Sequence, residues 1–183
     1  MQIFHYARYR NSDGSTTKRE AQARKTLGLD WIVALQSEDT IIQTFADNLD
    51  DDYTLLCNVN LPQVPHDTDL ILVGPKGVWV FEFFYTDGLY KADGERWMIY
   101  SNQAQKFKRC KPNPVAQASL DSNILRKLFE TQLVEQNIKA PWVSPAVILV
   151  NPQTRVQISE SVTMSVLTAD QVYDVVARDL KKF

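Results

Sequence analysis

Only two cysteines, Cys57 and Cys110, stand in a chain of 183 residues. That is too few for a disulfide framework or a structural zinc site, and it fits a compartment in which thiols stay reduced. Histidine is as scarce. His5 and His66 show no ligand spacing and read as surface or loop residues. No apolar run approaches the ~20 residues of a membrane-spanning helix. Residues 1–8 contain no signal-peptide hydrophobic segment. The expectation is a soluble, cytoplasmic protein with no membrane partner. Neither charge dominates: 20 basic residues face 22 acidic ones, a net of −2. A global polyanion-binding footprint is therefore excluded, and any contact with nucleic acid must come from a local patch. Internal repeats and long linkers are also missing from the sequence.

What remains is the composition of a globular domain. Hydrophobic residues make up 44% and charged residues 23%, which excludes a disordered or collagen-like chain. A chain of this length buries roughly 70% of its unfolded surface, so its core needs no covalent staples. The expected organisation is an N-terminal extension and helix over residues 1–28 and a single domain over residues 29–183.

Thr17 and Glu20 form a capping-box pattern for a helix over residues 17–27, with Gly28 at its C-terminal cap. A second helix, capped by Asp30, runs to about Leu49, with Trp31, Leu35, Ile42, Phe45 and Leu49 at helical spacing. Strands are expected over residues 53–60, 69–73 and 78–85, the last two joined by a turn at residues 74–77. Asp87-Gly88 and Asp93-Gly94 are hairpin signals around strands at 89–92 and 96–100. Asn113 as N-cap and Pro114 as first helical residue open a long helix to about Glu135. Residues 146–150 read as a buried strand and 162–167 as the last one. Thr168 and Gln171 cap a final helix reaching Lys181. The order implies an α/β domain with a mixed sheet.

Four polar residues fall where this pattern wants apolar ones. Glu38 sits on the stripe of the second helix or at its edge, between Leu35 and Ile42. Asp69 opens an apolar strand, as a turn residue or as a ligand. Glu82 interrupts residues 78–84, and period-two alternation puts it on one face with Val78, Val80 and Phe84. A carboxylate there needs a partner or a metal. Asp69 and Glu82 lie on successive strands, so with Glu38 they can form a cluster of three carboxylates. Oxygen-only ligands suit Mg²⁺ or Mn²⁺. Gln117 belongs to a stripe with Leu120, Ile124 and Leu128, orienting a ligand or satisfying a backbone group. Residues 105–111 carry Lys106, Lys108, Arg109 and Lys111 around Phe107, either a polyanion patch or a solvated loop ahead of a helix N-terminus.

These residues carry a resemblance. Residues 53–62, the run from Asp69 through Gly74-Pro75-Lys76-Gly77 to Glu82, then Gly88, Trp97 and residues 113–117, resemble in order the nuclease-related domain (NERD) family, a branch of the PD-(D/E)XK nuclease-like superfamily. The resemblance implies a restriction-endonuclease-like α/β core, a mixed sheet with hairpins flanked by helices. It implies Glu38, Asp69 and Glu82 as metal-binding and catalytic carboxylates for Mg or Mn, with Gln117 assisting. Partners would be DNA and proteins of DNA processing. The sequence departs from the family pattern at three positions: Ser37 replaces a Gly, Leu70 replaces a His, and Phe84 stands where the E-x-K motif has its Lys. That Lys would orient the nucleophile and offset charge at the scissile phosphate. Its role could pass to Lys91, Lys106, Lys108, Arg109 or Lys111, also the candidate nucleic-acid-binding residues. Three functions follow: a metal-dependent phosphodiesterase, a catalytically silent nucleic-acid-binding domain, or a protein-interaction domain on the same fold.

Overall fold

The computed structural model describes residues 1–6, 21, 24, 25, 31–75, 77–134 and 136–181. The helix expected over residues 17–27 and the Asp30 cap lie outside them, save for Ala21, Arg24 and Lys25, which are helical. The described elements run β1 (Gln2–His5), α1 (Trp31–Asn48), β2 (Thr54–Val59), β3 (Thr68–Gly74), β4 (Gly77–Phe84), β5 (Gly88–Asp93), β6 (Arg96–Ser101), β7 (Lys106–Arg109), α2 (Pro114–Val134), β8 (Val143–Leu149), β9 (Thr154–Ile158) and β10 (Ser165–Thr168). A 3₁₀ turn (Ala169–Gln171) then leads into α3 (Val172–Lys181). No described helix is long and apolar enough to cross a membrane.

Two mixed sheets result. The larger has strand order β1-β2-β3-β4-β8-β10, and the smaller β7-β6-β5-β9. Strand β4 is central: it pairs antiparallel with β3 (Leu70↔Phe81) and parallel with β8 (Phe81↔Ala146). Strands with both faces covered read as continuous apolar runs, and from Val80 to Phe84 every residue of β4 is buried. On one face Phe81 and Phe83 pack with Ile41 and Phe45 of α1 and Val172 and Val176 of α3. On the other, Val78 and Val80 pack with Leu125 of α2. Farther along β4, Phe84 joins Tyr90, Ala92 and Trp97 of the smaller sheet.

Three strands escape the sequence reading. β1 is a four-residue edge strand with three exposed positions, paired parallel with β2. β9 pairs parallel with β5. β7 falls within the basic run at residues 105–111, so its charges mask a strand; its pairing with β6 makes it an edge. Charged edges are a common defence against edge-to-edge association. The last strand is shorter than expected, and the C-terminal helix begins with the 3₁₀ turn, where the Thr168 amide donates to Gln171 Oε1 at 3.1 Å. Helix α2 starts as expected, with the Ala116 amide donating to Asn113 Oδ1 at 3.1 Å. Its buried stripe, however, is Val115, Ala118, Asp121, Ser122 and Leu125, while Leu120 is exposed.

The β3–β4 connection depends on Gly77. Its φ is +143°, and a Cβ there would lie 2.7 Å from the Trp142 carbonyl oxygen. That carbonyl accepts the Val78 amide at 2.8 Å and ties β4 to the segment entering β8. Gly77→Ala should therefore destabilise the fold by about 2 kcal/mol or more, combining backbone strain with a clash against main chain. Urea unfolding checks this; an unchanged midpoint would contradict it.

Candidate functional site

Glu38 is buried at 4% exposure, on the apolar stripe of α1 rather than at its edge. It approaches the sheet from the α1 side, where its carboxylate accepts the Tyr85 hydroxyl. Asp69 is half-buried. It lies one step beyond the last β3–β4 ladder pair, and its Oδ2 accepts the Phe83 amide at 2.8 Å. Opposite it on β2, Asn58 takes the left-handed conformation (φ 59°), which Asn tolerates better than most residues. The Asp69 carboxylate thus ties the far end of β3 to β4.

Glu82 shares its face with Val78, Val80 and Phe84, as alternation implies, and is 7% exposed. Its carboxylate meets a group that the spacing of residues does not reveal. Ligand atoms of His66, Glu82 and Asp121 all lie within 4.8 Å of one another. Among the described residues this is the one group of three side chains close enough to share an ion, and Glu38 and Asp69 stand outside it. Gln117 is half-buried, one helical turn before Asp121 on α2.

The β2–β3 connection brings His66 to this place. Leu61 and Val64 are buried in the apolar cluster beneath α2, and they fold the loop back onto the sheet. His66 is thus a loop residue, as expected, but one turned inward. Its Nε2 lies 3.1 Å from Asp121 Oδ1. Neither atom makes a well-aligned hydrogen bond, although both are shielded from water. The other oxygen, Asp121 Oδ2, accepts the hydroxyl of fully buried Thr68 at 2.7 Å. Burial raises the Asp121 carboxyl above its ordinary value, and the Thr68 hydrogen bond and His66 oppose that rise. One nitrogen of His66 with carboxylate oxygens of Glu82 and Asp121, all within 4.8 Å, is a donor set that fits a divalent cation. The mixed N,O donor set suits Mn²⁺ better than Mg²⁺.

The motif position two residues after Glu82 is filled by an aromatic block. Phe84 is 3% exposed and meets Tyr90 and Trp97 edge-on, with ring centroids 4.9 and 5.0 Å away. Tyr90 and Trp97 stack on each other at 5.5 Å. Burial pushes the Tyr90 hydroxyl up to about 12. Lys91 does not share that face, because alternation turns it away from Tyr90 and Ala92 to the outer side of the smaller sheet. The basic run is likewise divided by its strand. Arg109 shares the outer side with Met98, its cross-strand neighbour, whereas Lys106 and Lys108 point the other way from the exposed edge. Lys111 follows the strand. Cys110 is partly buried rather than exposed, and burial raises its thiol. Cys57 is fully buried in its strand.

The family model of the nuclease-related domain (NERD) matches residues 35–150. The chain belongs to this family. The match runs from α1 through the end of β8, so it takes in Glu38, His66, Asp69, Glu82, Phe84, Gln117 and Asp121. The mixed α/β architecture, with helices flanking its sheets, is consistent with the restriction-endonuclease-like core that the family implies. Comparison with curated proteins and with solved structures finds no match.

Asp121 allows a test of the NERD cluster that separates stability from ligation. Its raised pKa means that the ionised carboxylate costs stability above that pKa, and that the cost fades as pH falls through it. Asp121→Asn keeps an acceptor for Thr68 without the charge. In chelator-treated protein the variant should melt higher than the parent at neutral pH, with the gap closing on acidification. Mn²⁺ should raise the melting temperature of the parent and not of the variant. Equal Mn²⁺ shifts in both would exclude the cluster as the binding site.

Proposed function

We propose that this NERD domain binds nucleic acid without cutting it, and that its buried cluster serves as a structural cation site. The observation behind this reading is closure. Asp121 and Thr68 are 0% exposed, Glu82 is 7%, and Phe84 seals the same end of β4. An in-line attack on a phosphodiester needs the phosphate, the nucleophile and the metal within about 3–3.5 Å of one another. Carboxylates packed this deeply beneath α2 are poorly placed to meet a DNA backbone.

In this reading His66, Glu82 and Asp121 would hold the cation, and the chemistry it supplies is neutralisation of two buried carboxylates. Glu38 and Asp69 act on the strand rather than on a substrate. The first fixes Tyr85 and the second fixes the Phe83 amide, so both hold the end of β4 on which Glu82 and Phe84 lie. Binding falls to the cations: Lys106 and Lys108 on the exposed edge strand, and Lys91, Arg109 and Lys111 around it. DNA is the preferred partner class, and proteins of DNA processing are further partners.

Two measurements test this. Duplex DNA binding should weaken steeply with salt. The Lys106→Gln/Lys108→Gln variant should lower the slope of log affinity against log salt by about 2, near 0.9 for each phosphate that is no longer neutralised. Binding that is absent, or indifferent to salt, would favour a protein-interaction role instead. Phe84→Lys restores the motif residue but buries an ammonium between two aromatic rings. It should cost about 3–5 kcal/mol of stability and confer no cleavage. A stable variant that cuts DNA would overturn the reading.

A further inference from the structure

The outer face of the smaller sheet reaches solvent: Arg96 and Arg109 are exposed, and Lys91, Met98, Tyr100 and Phe107 are partly exposed. Its inner face carries Tyr90, Ala92 and Trp97 into the core, so alternation turns Lys91, Met98, Tyr100, Phe107 and Arg109 outward. Register arranges them in rows. Tyr100 lies opposite Phe107, and Met98 lies between Lys91 and Arg109. An aromatic pair therefore runs beside a row with a cation at each end.

Tyr100 and Phe107 meet edge-to-face, with centroids 5.3 Å apart and planes at 70°. In such a pair one ring keeps both faces clear of its partner. The Tyr100 hydroxyl donates to Gln105 Oε1 at 3.1 Å, which fixes the ring at the sheet surface. The acid on this face, Asp93, accepts hydrogen bonds from Ser159 and Ser161 at 3.0 and 2.8 Å and pairs across the strands with Arg96. At one end the face opens into a cleft of about 920 Å³, where Arg96, Arg109 and Lys111 outnumber the acids Asp93 and Glu95.

We propose that this outer face is a platform for single-stranded nucleic acid, with bases stacking on Tyr100 and Phe107 and phosphates held by Lys91, Arg96 and Arg109. The ligand class rests on the nucleic-acid-binding reading above; the strand form and the site do not. Stacking platforms flanked by cations read unpaired bases, because a base inside a duplex already has both faces covered. The spacing of the groups favours no particular base, so sequence preference should be weak.

The test uses the full chain and labelled oligonucleotides of about 20 residues, oligo(dT), oligo(U) and a duplex of the same length, read by fluorescence anisotropy. Single strands should bind at least about tenfold tighter than the duplex. Phe107→Leu and Tyr100→Leu should each weaken single-strand binding about tenfold, in the lower half of the range for removing one stacking ring. Phe107→Trp should retain it, which separates stacking from packing. Lys91→Gln should lower the salt slope by about 0.7. Comparison of oligo(dT) with oligo(U) decides between DNA and RNA; tighter binding of either supports the platform. The proposal is overturned if the Leu variants, shown to be folded by thermal melting, bind single strands as the parent does. If duplex binding then still depends on Lys106 and Lys108, the platform falls alone. If no nucleic acid binds, both readings fall.

Discussion

Burial of the central strand β4 on both faces is the constraint on which the rest of the structure depends. A strand between β3 and β8, covered by α1 on one side and α2 on the other, can carry a carboxylate only if the surroundings compensate it. Glu82 is that carboxylate. The fold meets it by turning the β2–β3 loop inward, which brings His66 to the cluster, and by replacing an apolar residue of α2 with Asp121. Compensation by further acidic and titratable groups has its own cost. Burial disfavours the ionised form of Asp121, and its pKa is raised accordingly. A cation is the group that would relieve both carboxylates together.

On the reading proposed above, the same burial is what separates this domain from a cutting enzyme. A phosphodiesterase must present its charged cluster to a substrate backbone. Here Phe84, Tyr90 and Trp97 form a continuous aromatic block where the family pattern expects an ammonium, and that block is the joint between the two sheets. Three large rings meeting at about 5 Å make this end of β4 part of the core. On that reading the functional surface lies farther out, at the edge strand β7 and the outer face of the smaller sheet.

Much of this is legible in the sequence, for identifiable reasons. Alternation alone places Glu82 with Phe84 and the two valines, because β-strand period is short and regular. Helical spacing puts Glu38 on the buried stripe of α1. Asn113 and Pro114 mark the start of α2 to the residue. The stripe of α2 is misplaced because two of its inward positions, Asp121 and Ser122, are polar, so hydrophobic periodicity follows the neighbouring line through Leu120. β7 is hidden by its charges. His66 and Asp121 stand far apart in the chain and share no motif, and only the fold of the β2–β3 loop brings them together. An Asp one turn after Gln117, itself an oddity on its stripe, is the available signal.

The central claim is that a nuclease-related fold has closed its reactive cluster. Incubation of plasmid and single-stranded DNA with Mn²⁺ or Mg²⁺, comparing the parent with Glu82→Ala, tests it most directly. The account predicts no cleavage by either protein under conditions where the parent binds the same DNA. Cleavage by the parent that is abolished in Glu82→Ala would contradict it, and would show that the cluster opens to substrate.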